Sequence, residues 1–187
     1  MCGDGEVAMR AFIALEMPEE FVDDAAALAR RLARSVDGRF VPAKNYHLTL
    51  AFLGEVGESE ARSAMDAMDE ACRTAGPMPV EVEGLGAFGK RAGGSGLWLD
   101  VARDPELMAL AERVRAGLDA RGVAYDGTRP FSPHVTLARR AKLPAGLALS
   151  ELPFPLPCEA RSVTLFRSYL EKDGARYKPL YTIDLGE

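Results

Sequence analysis

The chain has two histidines, and each opens the same kind of five-residue word: His47-Leu48-Thr49-Leu50-Ala51 and His134-Val135-Thr136-Leu137-Ala138. Agreement at Thr, Leu and Ala in both has a chance probability on the order of 10⁻⁷ to 10⁻⁶, so the words are read as a repeat. Polar and aliphatic residues alternate within them, which is the period of a half-buried strand. On a strand, His47 and Thr49 share one face and Leu48 and Leu50 the other, and the same parity groups His134 with Thr136. A fold for this chain must bury two aliphatic strand faces and present two faces that each carry an imidazole beside a hydroxyl.

The flanking sequence supplies the partners. Met9 to Leu15 reads as a buried strand, and residues 1 to 8 before it as a tail. A helix enters at Pro18, with acids in its first turn, arginines in its last, and an apolar stripe of Phe21, Ala25, Leu28 and Leu32. DGRFVPAKN breaks it, and a strand follows from Tyr46 to Leu53, ending at Gly54. A second helix is expected from a Ser59 cap to Arg73, and a third from Asp104-Pro105 to Gly122. Strands are expected over Val80 to Ala87 and Leu97 to Val101, joined by the loop FGKRAGGSG. Three more are expected over Pro133 to Ala138, Cys158 to Leu170 and Tyr177 to Leu185, with EKDG as the last turn. LPAGLALSELPFPLP is too rich in proline for a central strand and reads as a surface connection. This order predicts an α+β fold with largely antiparallel sheets, residues 9 to 187 forming one domain.

Charge and cysteine usage narrow the function. With 23 Lys and Arg against 28 Asp and Glu, the net charge of −5 excludes a broad basic field for binding along nucleic acid, so any such contact is local. Lys90, Arg91, Arg129 and Arg140 are candidates for it, a solvated charged face being the competing reading. Cys2, Cys72 and Cys158 have no CxxC spacing, which argues against a disulfide framework or thiolate metal site and fits a reducing cytoplasm. No apolar run approaches the ~20 residues of a membrane-spanning helix. A soluble, unexported monomer is expected.

The two His-x-Thr faces suit phosphoester chemistry. Opening a phosphodiester requires a base for the incoming water and an acid for the departing alkoxide, on opposite sides of phosphorus. Two imidazoles can divide those tasks, while Thr49 and Thr136 donate to the non-bridging oxygens. The scheme demands no metal and no cofactor. For either histidine alone, a structural role competes; for the pair, metal ligation also competes, although neither word carries the carboxylate or Cys of a usual ligand set. No GxSxG or Walker ending is present.

At these residues the sequence resembles the two-histidine phosphoesterases, specifically the RNA 2′,3′-cyclic phosphodiesterases, also called 2′-5′ RNA ligase-like proteins. The resemblance extends over MRAFIAL, NYHLTLAFLGEV, RPFSPHVTLAR and SVTLFRSYLEKDGARYKPL, in that order. It implies a bilobed, pseudo-symmetric fold with one mainly antiparallel sheet per lobe, helices on the outer faces and a cleft that receives one histidine from each lobe. It also implies hydrolysis of a 2′,3′-cyclic phosphate to a 2′-phosphate on RNA termini, tRNA fragments among them, or on small cyclic nucleotides. By the same resemblance His47 is the general acid, His134 the general base, and Thr49, Thr136 and Arg139 bind phosphate. Counting by two from Val135 puts Arg139 on the core side, so its role requires the strand to end, twist or bulge near Ala138. Phe12, Phe52 and Phe131 are candidates for stacking on a base, with core packing as the alternative. A nucleotide-binding module without turnover and 2′-5′ RNA end joining are the competing functions.

Overall fold

The computed structural model describes residues 8–87, 96–142, 152–172 and 174–186. The first seven residues of the expected tail, the loop with Lys90 and Arg91, Asp173 of the EKDG turn, and residues 143–151 of the proline-rich connection lie outside them. In chain order the elements are β1 (Met9–Glu16), α1 (Glu19–Leu32), β2 (Asp37–Phe40), β3 (His47–Val56), α2 (Glu58–Cys72), β4 (Met78–Val80) and β5 (Val82–Ala87). They continue with β6 (Gly96–Val101), α3 (Pro105–Ala120), β7 (His134–Lys142), β8 (Cys158–Ala160), β9 (Ser162–Glu171) and β10 (Gly174–Asp184).

The main sheet runs β10-β9-β1-β3-β7-β6-β5, with β2 also on β7, and β4 pairs with β8 in a small second sheet. All of these pairings are antiparallel. The α+β expectation holds. The two expected lobe sheets, β10-β9-β1-β3 and β7-β6-β5, meet edge to edge at a single registered pair, Leu48 with Val135.

The core forms on one side of this sheet because the alternation of the strands and the stripes of the helices point there. Leu15, Leu48, Val135 and Leu165 are fully buried, and so are Leu28 of α1, Met68 of α2 and Leu110 of α3. Removing such side chains from water contributes about 1.5–3 kcal/mol each. Small residues set the approach of α2 and α3: a Cβ on Gly117 would lie 3.2 Å from that of Ala67.

Several boundaries differ from the expectation for identifiable reasons. DGRF is a strand despite its polar composition, because its backbone pairs with the edge of β7. Val80 to Ala87 divides at Glu81, whose carbonyl accepts from the Ala102 amide at 2.8 Å. Cys158 to Leu170 divides at Arg161, whose carbonyl takes the Leu185 amide. β3 runs past Gly54 to Val56, and Gly54 accommodates this with φ of 74°. Helix α2 begins one residue before Ser59, capped where the Gly57 amide donates to the Glu60 carboxylate at 2.8 Å. Among the described residues no helix is long and apolar enough to cross a membrane.

Candidate active site

The seam between the two sheet halves places the repeat against itself. Since β3 and β7 are antiparallel with Leu48 opposite Val135, one step along each strand sets Thr49 across from His134, and His47 across from Thr136. Leu48 and Val135 are fully buried beneath. The other face carries both histidines on one diagonal and both threonines on the other. This is a four-point array with the symmetry of the repeat.

Both imidazoles are held in the same tautomer. The Nδ1–H of His47 donates to the Asn45 carbonyl at 2.7 Å, and that of His134 to the Ser132 carbonyl at 2.8 Å, each two residues upstream. A carbonyl only accepts, so Nε2 is the proton-exchanging atom of each ring. Asn45 is itself fixed, its amide donating to the Ala175 carbonyl at 2.7 Å. His47 packs against Phe12 (ring centroids 4.7 Å apart) and edge-on to Tyr177 (5.3 Å). Its strand neighbour Glu16 takes a hydrogen bond from Thr164.

Burial lowers the His47 pKa from 6.5 to about 4, the positive fields of His134 and Arg139 adding to the effect against the Asn45 hydrogen bond. Its folded value lies below its unfolded one, so between these limits the unfolded chain binds more protons. The resulting stability is complete above pH 6.5 and is lost as pH falls toward about 4. Urea midpoints of the wild type should therefore fall more steeply across this window than those of His47→Asn; parallel curves would refute the assignment.

Each word also encodes a β-bulge. On β3, Ala51 pairs with Ile13 and Thr49 with Ala14, so Leu50 is the extra residue. On β7, Ala138 pairs with Leu97 and Thr136 with Trp98, so Leu137 is the extra residue. Consequently Leu50 and Ala51 are both buried, as are Leu137 and Ala138, and the alternation restarts one residue late. The carbonyls of the two extra residues take donors from outside the bulged strand pairs: Leu50 from the Arg115 Nε at 3.0 Å, Leu137 from the Val41 amide, next to β2, at 2.8 Å. The restart returns Phe52 and Arg139 to the histidine face. That is the bulge near Ala138 which a role for Arg139 requires.

A cavity of about 280 Å³ opens beside Thr49 and His134, walled by Phe52, Trp98, Asp100, Arg115, Asp126 and Phe131, among others. The Arg115 guanidinium lies over the Phe131 ring at 5.2 Å. Phe52 and Phe131 line this space, and Arg129 borders it. Phe12, 3% exposed, backs His47 instead. Arg140 is exposed, with φ of 53°. Trp98, Asp100, Arg115 and Asp126 were not foreseen as site residues, nor were Phe166 and Tyr177 beside Phe12. Trp98 had a signal in being the single tryptophan of the chain. Among the described residues no three His, Cys, Asp or Glu side chains form a cluster able to hold a metal ion.

Comparison with known proteins identifies the family. Residues 18–171 match the model of the 2′-5′ RNA ligase superfamily. An RNA 2′,3′-cyclic phosphodiesterase of Thermotoga maritima is 31% identical, covering 92% of this chain and 94% of its own. One from Thermus thermophilus is 35% identical, covering 94% and 87%. Among solved structures, Escherichia coli LigT complexed with 3′-AMP superposes with a TM-score of 0.72 at 26% identity, over 96% of this chain and 99% of its own. The paired words, the antiparallel seam that joins them and these likenesses converge: the chain belongs to the 2′-5′ RNA ligase superfamily.

Proposed function

We propose that the protein hydrolyses 2′,3′-cyclic phosphates at RNA or nucleotide ends to 2′-phosphates, with His47 as general acid, His134 as general base and no metal ion in the reaction. The observation that carries this reading is the four-point array, in which two imidazoles of matched tautomer and two hydroxyls share one face of the seam. The names of the relatives point to the same reaction.

In the reaction, His134 Nε2 takes a proton from water as its oxygen bonds to phosphorus. The bond from phosphorus to O3′ breaks, and His47 Nε2–H delivers a proton to that oxygen. Thr49 and Thr136 donate to the non-bridging oxygens, and Arg139 offsets the charge gathering there. His47 is neutral in the empty cleft at pH 7. Burial and the Arg139 field disfavour the charged ring, and a phosphate anion beside Nε2 acts against both, so the reading has His47 take up its proton as substrate binds. A second reading, with His47 as the base, is favoured by that same neutral form. The net charge of −5 favours a terminus over a long strand as ligand. The reading takes the protein as a monomer in a reducing cytoplasm, in keeping with the free thiols of Cys72 and Cys158.

The test is mass analysis of products from an oligonucleotide ending in a 2′,3′-cyclic phosphate, with and without EDTA. A 2′-phosphate at an unchanged rate is expected. A 3′-phosphate, a 2′-5′ joined product in place of hydrolysis, or loss of turnover in EDTA would overturn the reading.

A further inference from the structure

The cavity beside His134 has the construction of a stacking platform. The Trp98 indole lies flat over β5, where a Cβ on Gly86 would come within 2.1 Å of its Nε1, so only glycine fits beneath it. The indole N–H donates to Asp100 Oδ1 at 2.6 Å, which fixes the rotation of the ring. Asp100 pairs with His134 across β6 and β7, so tryptophan, carboxylate and imidazole share one face. The Trp98 and His134 rings stand 6.0 Å apart between centroids. That separation is comparable to the span from phosphate to base within one nucleotide.

We infer that this cavity is a nucleobase pocket in which the base stacks on Trp98 and presents its donor edge to Asp100, so that guanine is preferred and uracil disfavoured. The inference rests on the phosphodiesterase reading for the nucleotide's orientation and adds a base specificity to it. Bases stack on aromatic faces without regard to identity, so the platform supplies affinity and the carboxylate supplies choice. A carboxylate only accepts hydrogen bonds. Oδ1 is taken by the indole N–H, which leaves Oδ2 as the acceptor, and guanine offers it N1–H and the exocyclic amine side by side with no carbonyl between them. Uracil offers one N–H flanked by two carbonyls, which repel the charge. Asp126, on the far wall, is held by Thr128 and faces the fields of Arg129 and Arg115, whereas no basic side chain is paired with Asp100 among the described residues.

The single tryptophan makes the test direct. Guanosine 2′-phosphate, uridine 2′-phosphate and inorganic phosphate are titrated against the intact protein while its fluorescence is followed, and hydrolysis of a cyclic nucleotide is assayed on the same sample. The expected result is quenching by guanosine 2′-phosphate, no quenching by phosphate alone, and binding about 10- to 100-fold tighter for guanosine than for uridine, the range of charged hydrogen bonds. Asp100→Asn should bring the two nucleotides to near parity. Equal affinity for both nucleotides and phosphate, without quenching, overturns the pocket even if hydrolysis is normal. Base-dependent quenching without hydrolysis supports the pocket and rejects the phosphodiesterase reading alone.

Discussion

His47→Ala and His134→Ala are each expected to lower kcat by about 10²- to 10⁴-fold, the range for loss of one general acid or base. The double variant should fall short of the product of the two losses, because the histidines act on one transition state. Replacing O3′ of the cyclic phosphate by sulfur separates their tasks. A thiolate departs without needing a proton, so the variant that lacks the acid recovers on this substrate and the variant that lacks the base does not. Recovery of His47→Ala supports the assignment made above; recovery of His134→Ala exchanges the two roles. Full activity in either alanine variant on the oxygen substrate would remove the paired mechanism altogether.

The largest loss of stability tied to the site should come from Leu48→Ala. Leu48 is fully buried, and its pairing with Val135 is the registered contact by which the sheet halves meet. Truncating a buried leucine costs about 2–5 kcal/mol, including the cavity left behind. The substitution also releases the point that aligns His47 and Thr49 with the opposite strand. Leu165→Ala is the control: it is equally buried, lies in β9 and pairs with Ile13 away from the seam. At a temperature where both variants are folded by circular dichroism, Leu48→Ala should show reduced kcat and Leu165→Ala should not. Equal kcat in the two would mean that the seam does not govern the alignment.

The parts of the site that obey strict alternation could be read directly from the residues. His47, Thr49, His134 and Thr136 lie on the faces that period two assigns to them. The three helices follow their apolar stripes, because a stripe such as Phe21, Ala25, Leu28 and Leu32 has one face to bury. Arg139 shows where alternation stops being a guide. Counting by two assigns it to the core side, because a bulge leaves no mark on hydrophobic pattern beyond two consecutive buried residues, here Leu137 and Ala138. Trp98 and Asp100 were hidden for another reason: β6 joins the site through its pairing with β7, a long-range contact that no local pattern carries. Polar β2 is of the same kind, a strand by virtue of its partner rather than its own residues.

Anyone wishing to transplant this chemistry into another antiparallel sheet would find that His-x-Thr is too small a unit. The Leu-Ala that follows shifts the count by one, and the carbonyl of each extra residue is held from outside the bulged strand pair, by the Arg115 guanidinium in one copy and by the Val41 amide next to β2 in the other. A graft of three residues would carry the reactive groups and leave behind the offset that turns position 52 or position 139 toward them. The smallest portable part is the whole five-residue word together with its remote donor, and so a helix side chain belongs to the left-hand copy of a motif written entirely on strands.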